Sequence, residues 1–278
     1  MSTVTAPGRS RYLAALTSPR GLAGLLVVGG LAVVALLAPV IAPHGYDAQG
    51  VDALRPGSWP ALFGTDELGR DVCARALYGL RTDLSLVGLA VPASALLGTL
   101  LGLSGFLSPR LGTAIQRGLD VILGFPSLIL GISIALVVRP GWPALFVAIV
   151  IYGLPGFGRL ARATLLAQQQ RDYVLAARMM GVSRGRVLLR HILPHAADPI
   201  IVQMATGMVS GIFLESSLSI VGLGIQPPAP SLGALLNTGM RYMSQQSLYV
   251  VGPALLLLLL AWGLILLSDA LNEAVTRR

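Results

Sequence analysis

From Leu248 to Ser268 the chain runs for 21 residues without a charge and includes the block LLLLLL. About 20 such residues are needed for a helix to cross the hydrocarbon core of a bilayer, where water cannot satisfy backbone N–H and C=O groups. Five further stretches approach or meet this test. Gly21 to Pro43 is uncharged for 23 residues, and the run between Asp83 and Arg110 for 26. Val121 to Val138 and Pro140 to Phe157 are separated only by Arg139, and Pro140, Gly141 and Pro143 suit a tight reversal between them. Ile200 to about Leu223 is interrupted by Glu215. These stretches predict an all-α membrane protein with six transmembrane helices and both ends on one side.

Arginine bias sets the expected orientation. All 20 basic residues of the 278-residue chain are arginine. With the N terminus inside, fourteen fall on the cytoplasmic side (Arg9, Arg11, Arg20, Arg110, Arg117, Arg159, Arg162, Arg171, Arg178, Arg184, Arg186, Arg190, Arg277 and Arg278). Six fall outside: Arg55, Arg70, Arg75, Arg81, Arg139 and Arg241. The first loop, residues 44 to 83, also holds six carboxylates, so its external charge is nearly balanced. The N-terminal arginines and apolar run resemble a signal peptide, but the run exceeds the usual apolar region of about 7–15 residues and five more spans follow it. An uncleaved first span is therefore expected.

Several chemistries are excluded or disfavoured. Without lysine there is no phosphate-binding GxxxxGK[ST] loop and no Schiff-base nucleophile. A single cysteine, Cys73, forms no intramolecular disulfide or cysteine cage, and three histidines are a thin ligand supply. The arginines lack the interleaved aromatics of single-strand binders, so nucleic acid is not an expected partner. His191 and His195 are four residues apart, but Pro194 interrupts the helical face they would share, and no metal is expected there. Asp66, Glu67 and Asp71 are interspersed with Arg70, and Gly64, Gly69 and Asp66 suit a turn rather than a metal site. An intramembrane enzyme would need a constellation of catalytic groups within the spans, where only Glu215 stands out.

The densest charge lies in Arg171 to His195, RDYVLAARMMGVSRGRVLLRHILPH. Tyr173, Ala176, Ala177 and Met180 recur at i, i+3, i+4 and i+7, so they share one shallow helical face. Gly181 suits a left-handed helix end and Ser183 a second helix start, which predicts two short helices with a sharp bend. Such a loop fits a flat protein partner or a membrane surface with anionic lipid, and residues alone leave both open.

LAA at 175–177, Gly181, Leu193 and Pro194 resemble the EAA loop of membrane subunits of bacterial ABC importers, with Leu175 in place of the usual glutamate. FGTDELGRDVCARALYGLRTDLSLVG at 63–88, FPSLIL at 125–130 and ESSLSIVGLGIQPPAPSLG at 215–233 resemble the C-type permeases of dipeptide, oligopeptide and nickel importers. The resemblance spans about residues 60–240. It implies a type I importer permease fold: a cytoplasmic segment (1–20), a first transmembrane helix with an external loop (21–83), a five-helix core (84–268) containing the coupling loop (166–197), and a cytoplasmic tail (269–278).

It also implies partners: a homologous second permease, two ABC ATPases that hold the ATP and Mg, and an external substrate-binding protein or lipoprotein. No cofactor is expected on this chain. The implied cargo is a short peptide, with nickel or a nickel chelate as the alternative. The implied coupling surface comprises Tyr173, Ala176, Ala177, Arg178, Met180, Gly181, Val182, Ser183 and Arg184. Glu215, a costly carboxylate inside an apolar span, has two open readings: a place on the translocation path, or a structural pair with Arg81 or Arg241. The glycine pairs Gly98/Gly102 and Gly207/Gly211 are candidates for close helix packing.

Overall fold

The computed structural model describes residues 9–276, apart from Pro60, Leu107 and the side chains of Arg9, Ser10, Arg11, His191 and Thr276. The first eight residues of the N-terminal segment, Arg277 and Arg278, and the side chains of Arg9, Arg11 and His191 therefore lie outside the described residues.

The described residues contain helices and no β-strand. The chain begins with α1 (Arg9–Thr17), α2 (Pro19–Leu36) and the short α3 (Ala38–Ile41). Ser18 starts α2, its hydroxyl accepting from the Gly21 N–H, and Pro19 occupies the first turn, where no donor is needed. After a long loop (residues 42–71) come α4 (Val72–Leu103), a 3₁₀ turn (Ser104–Phe106), α5 (Pro109–Leu123), α6 (Ser127–Val138) and α7 (Trp142–Gln169). The arginine-rich loop holds α8 (Asp172–Met179), α9 (Arg184–Val187) and a π-helical turn (Leu188–Ile192) that leads into α10 (Leu193–Ile220). α11 (Leu232–Met240) and α12 (Leu248–Thr276) complete the fold.

Five helices are long and apolar enough to cross a membrane: α2, α4 with its 3₁₀ extension, α7, α10 and α12. The stretch 121–138 is not the straight helix expected of a third span. α5 and α6 meet at 97°, and α6 alone, with 12 residues, is about 18 Å long against a hydrocarbon core of about 30 Å. The break falls at Gly124, Phe125 and Pro126, where proline lacks an N–H and its ring disfavours α geometry at Phe125. Counting the bent pair as one crossing gives six spans. The reversal at Arg139 and Gly141 forms as expected, with both residues at positive φ.

Helices extend beyond the charge-free windows. α4 begins twelve residues before 84 and takes in Arg75, Arg81 and Asp83, which the charge-free window leaves in the expected external loop. Arg75 and Asp83 are tolerated because they are buried in protein, at 6% and 1% exposure, rather than in lipid. α7 continues past Phe157 through Arg159 and Arg162 to Gln169, carrying the chain clear of the apolar layer.

The core is built on α4 against α7. A Cβ on Gly98 would lie 2.8 Å from the Leu154 carbonyl and from Phe157 Cβ, and one on Gly102 would overlap the Gly158 carbonyl. The helices therefore touch backbone to backbone, with the Ser94 hydroxyl donating to the Val150 carbonyl at 2.9 Å in the same seam. Gly207 and Gly211 pack less tightly: their nearest neighbours to an added Cβ are valine side chains at 3.1 and 3.2 Å. Gly102→Val should cost about 2–3 kcal/mol through overpacking against backbone that cannot yield. The thermal midpoint of purified protein should fall, while Gly88→Ala, which meets open space, should leave it unchanged.

Candidate functional site

Two passages singled out in the sequence become rigid corners, one at each end of the bundle. At one end, GTDELGRD closes a turn. The Asp66 carboxylate accepts from the Leu68 and Arg70 N–H groups, both at 2.9 Å, and from Arg70 Nε at 2.6 Å. Asp66 is fully buried and Arg70 nearly so. Burial works against the Arg70 charge, but the bond to Asp66 and the charges of Asp66 and Glu67 outweigh it and hold the guanidinium above its usual pKa. Gly69 sits at φ +72, which an L side chain adopts only with strain. Asp71 then caps α4, accepting from the Cys73 and Ala74 N–H groups. The acidic residues here are thus spent on a turn, an ion pair and a helix cap. Glu67 also accepts the Tyr249 hydroxyl at 2.9 Å, which ties the turn to α12.

At the other end, α8 stops where expected. Gly181 has φ +75, and two backbone bonds, Val182 N–H to the Ala177 carbonyl and Gly181 N–H to the Arg178 carbonyl, close a Schellman motif. Ser183 occupies the start of α9, although its side chain makes no capping bond. The second helix does not end at Pro194; it passes through the π turn into α10. Pro194 has no N–H to offer the preceding turn, which is where the wider winding occurs.

The expected four-residue face is split. Ala177 is 3% exposed and points inward with Val174, packing on Leu103, Phe106, Ala161, Leu165, Val187 and Ile192. A helix this short buries only its i, i+3 pair, Val174 and Ala177. Tyr173, Ala176 and Met180 remain on the outside with Leu175 and Met179, the last at 89% exposure. The guanidinium of Arg178 lies over the Phe106 ring at 5.6 Å, Arg184 is exposed, and Val182 packs on the small cluster beneath. Tyr173 contacts the His195 ring, with centroids 5.8 Å apart. The loop is therefore a fixed projection with a core of its own, joined to the C-terminal ends of α4 and α7.

Residues 94–278 match the family model of the binding-protein-dependent transport system inner membrane component. The chain belongs to that family. Residues 16–56 match the N-terminal TM domain of oligopeptide transport permease C. The permease is 38% identical over 263 residues to the di/tripeptide transport system permease protein DppC of Pseudomonas aeruginosa, covering 91% of this chain and 86% of that one. It is 30% identical over 275 residues to the dipeptide transport system permease protein DppC of Alkalihalophilus pseudofirmus, covering 98% and 90%. The inward-facing MetNI methionine ABC transporter shares the fold at TM-score 0.59 and 17% identity, over 73% of this chain and 96% of that one. The permease is a multi-pass inner-membrane subunit of the ABC-importer type, not itself an enzyme, and its family works with ATPase and substrate-binding partners.

Glu215 of the permease is fully buried and pairs with neither Arg81 nor Arg241. Its Oε1 accepts from Ser219 Oγ at 2.7 Å and its Oε2 from Ser216 Oγ at 3.1 Å. The helix end beyond it repeats the Schellman pattern at Gly222, with Leu223 N–H to the Leu218 carbonyl, while Asn237 Nδ2 donates to the Ile220 carbonyl at 2.6 Å. Sequence reasoning misses Val174 in the loop cluster and Asp83, whose Oδ2 accepts the Leu232 N–H beside the Glu215 serines. Val174 had a signal, its i, i+3 spacing to Ala177; Asp83 had none, since a carboxylate bounding an apolar stretch reads as a loop residue.

Two substitutions check these corners. Asp66→Ala should take from buried Arg70 its shortest ion pair, leaving only the longer contacts to Glu67 and Asp47, and cost about 3 kcal/mol, seen as a large loss of folded protein from the membrane. Gly181→Ala should cost about 1–2 kcal/mol, lowering the thermal midpoint without preventing folding.

Proposed function

We propose that this permease forms half of a membrane passage that carries short peptides inward, driven by ATPases that dock on the loop around α8. The observation that carries the reading is the loop's construction. It is pinned to α4 and α7 by a buried cluster of its own, yet presents Leu175, Ala176, Met179 and Met180 outward. An apolar patch held this rigidly at the end of two spans transmits displacement, which a slack connector would absorb. Shifting a two-state equilibrium from 1:99 to 99:1 takes about 5.5 kcal/mol of differential binding.

Leu175 replaces the glutamate usual in the resembling loops. Half-exposed beside Met179 one turn on, it extends the apolar patch instead of supplying a charge, and a matching ATPase groove would be apolar at that point. The full assembly in this reading holds a second, homologous permease, two ATPases carrying ATP and Mg, and an external binding protein that delivers the peptide. The N terminus and the α8 loop face the cytosol, as the arginine bias supports. Peptide is favoured over nickel because the relatives described above bear peptide names.

The test is uptake by the assembled transporter in proteoliposomes, offered dipeptides, oligopeptides or nickel chelates through its binding protein. Ala176→Arg and Met180→Asp, both at exposed positions, should lower peptide uptake more than about tenfold and abolish stimulation of ATP hydrolysis by loaded binding protein, with membrane levels maintained. Unchanged uptake would overturn the docking assignment, and uptake of nickel chelates alone would overturn the cargo. Ala177→Arg is not an equivalent probe, because its side chain would enter the buried cluster and unfold the loop.

A further inference from the structure

Asp83 of α4 and Glu215 of α10 are enclosed together, at 1% and 0% exposure. Asp83 Oδ2 accepts the Leu232 N–H at 3.1 Å. The neighbouring Ser231 Oγ lies 3.4 Å from Ser219 Oγ, which donates to Glu215. Both acids thus reach one turn, Ser231–Leu232, at the start of α11, Asp83 directly and Glu215 through the Ser219 hydroxyl. Among the described residues no positive group answers them. The ion pairs among the described residues involve other acids, and Arg75, two turns earlier on α4, is directed at Asp66 and the Tyr46 carbonyl. Arg81 and Arg241 are exposed, and Tyr249 of α12 turns its hydroxyl to Glu67. Three of the four carboxylate oxygens have donors, while Asp83 Oδ1 is buried with none.

We propose that Asp83 and Glu215 hold one proton between them, carried on Asp83 Oδ1 and donated to Glu215. Two like charges in a dry site without a counter-charge are far costlier than one acid hydrogen-bonded to one carboxylate. A single missing donor calls for a single proton, whereas a metal ion would demand several open oxygens. The bond joins α4 to the α10–α11 corner, so these elements move as one body during transport. This inference does not depend on which cargo is carried.

The complex, purified with its partner subunits, is examined by infrared spectroscopy in H₂O and D₂O at neutral pH. A carboxylic-acid C=O band that shifts in D₂O should be present in the wild type and absent from Asp83→Asn and from Glu215→Gln. Each amide supplies an N–H to the remaining carboxylate, so both variants should assemble and transport within about twofold of wild type. Asp83→Leu leaves the carboxylate of Glu215 without that donor and should yield at least about tenfold less complex. A wild type without the band, a band unchanged in the amide variants, or failure of both amide variants to assemble would overturn the proposal.

Discussion

Backbone contact between α4 and α7 is the constraint on which the other contacts of this permease rest. Lipid is as apolar as a leucine side chain, so helices in a membrane gain little from burying apolar surface and depend on close van der Waals packing. Gly98 and Gly102 meet Gly158 and Phe157 with no room for a side chain between them. That seam fixes the spacing of two helices that run on to both ends of the molecule. The GTDELGRD turn is continuous with α4, and the α8 loop packs on the opposite ends of both.

Charge inside the bundle is handled by a different device at each place. The Arg75 guanidinium is reached by Asp66 from the GTDELGRD turn, Glu215 is clothed by serine hydroxyls, and Asp83 takes one backbone N–H. Together these polar contacts tie α4, α10, α11 and the GTDELGRD turn into one corner. The end that carries α8 works the other way: its charges are solvated and its apolar side chains are divided between a small buried cluster and an outward patch. Rigid ends with opposite character suit the proposed division of labour, with cargo received at one face and force at the other.

Much of this was legible in the chain. Charge-free length located the spans, Gly181 the bend of the loop, and Gly98/Gly102 a close helix contact. What failed did so for identifiable reasons. A test for uncharged length detects lipid contact and not helix, so it starts the second span only after Asp83 although α4 begins at Val72. It also read 121–138 as one crossing, because neither Gly124 nor Pro126 carries a charge. Spacing placed Ala177 on the outward face because i+3 and i+4 neighbours both satisfy helical periodicity, and only the position of Phe106 and Ala161 shows which of the two is covered.

By itself, then, the sequence determined that this protein is helical and crosses the membrane, where its chain turns, and which family it resembles. Those properties follow from local chemistry: apolar length, arginine placement, and glycine and proline at the corners. Tertiary structure alone decided which of two adjacent alanines faces outward, that the 121–138 stretch is broken, and that Asp83 and Glu215 share a site although 132 residues separate them. A carboxylate's role depends on what surrounds it, and in this fold the surroundings are supplied by α10 and α11, helices remote from Asp83 in the chain.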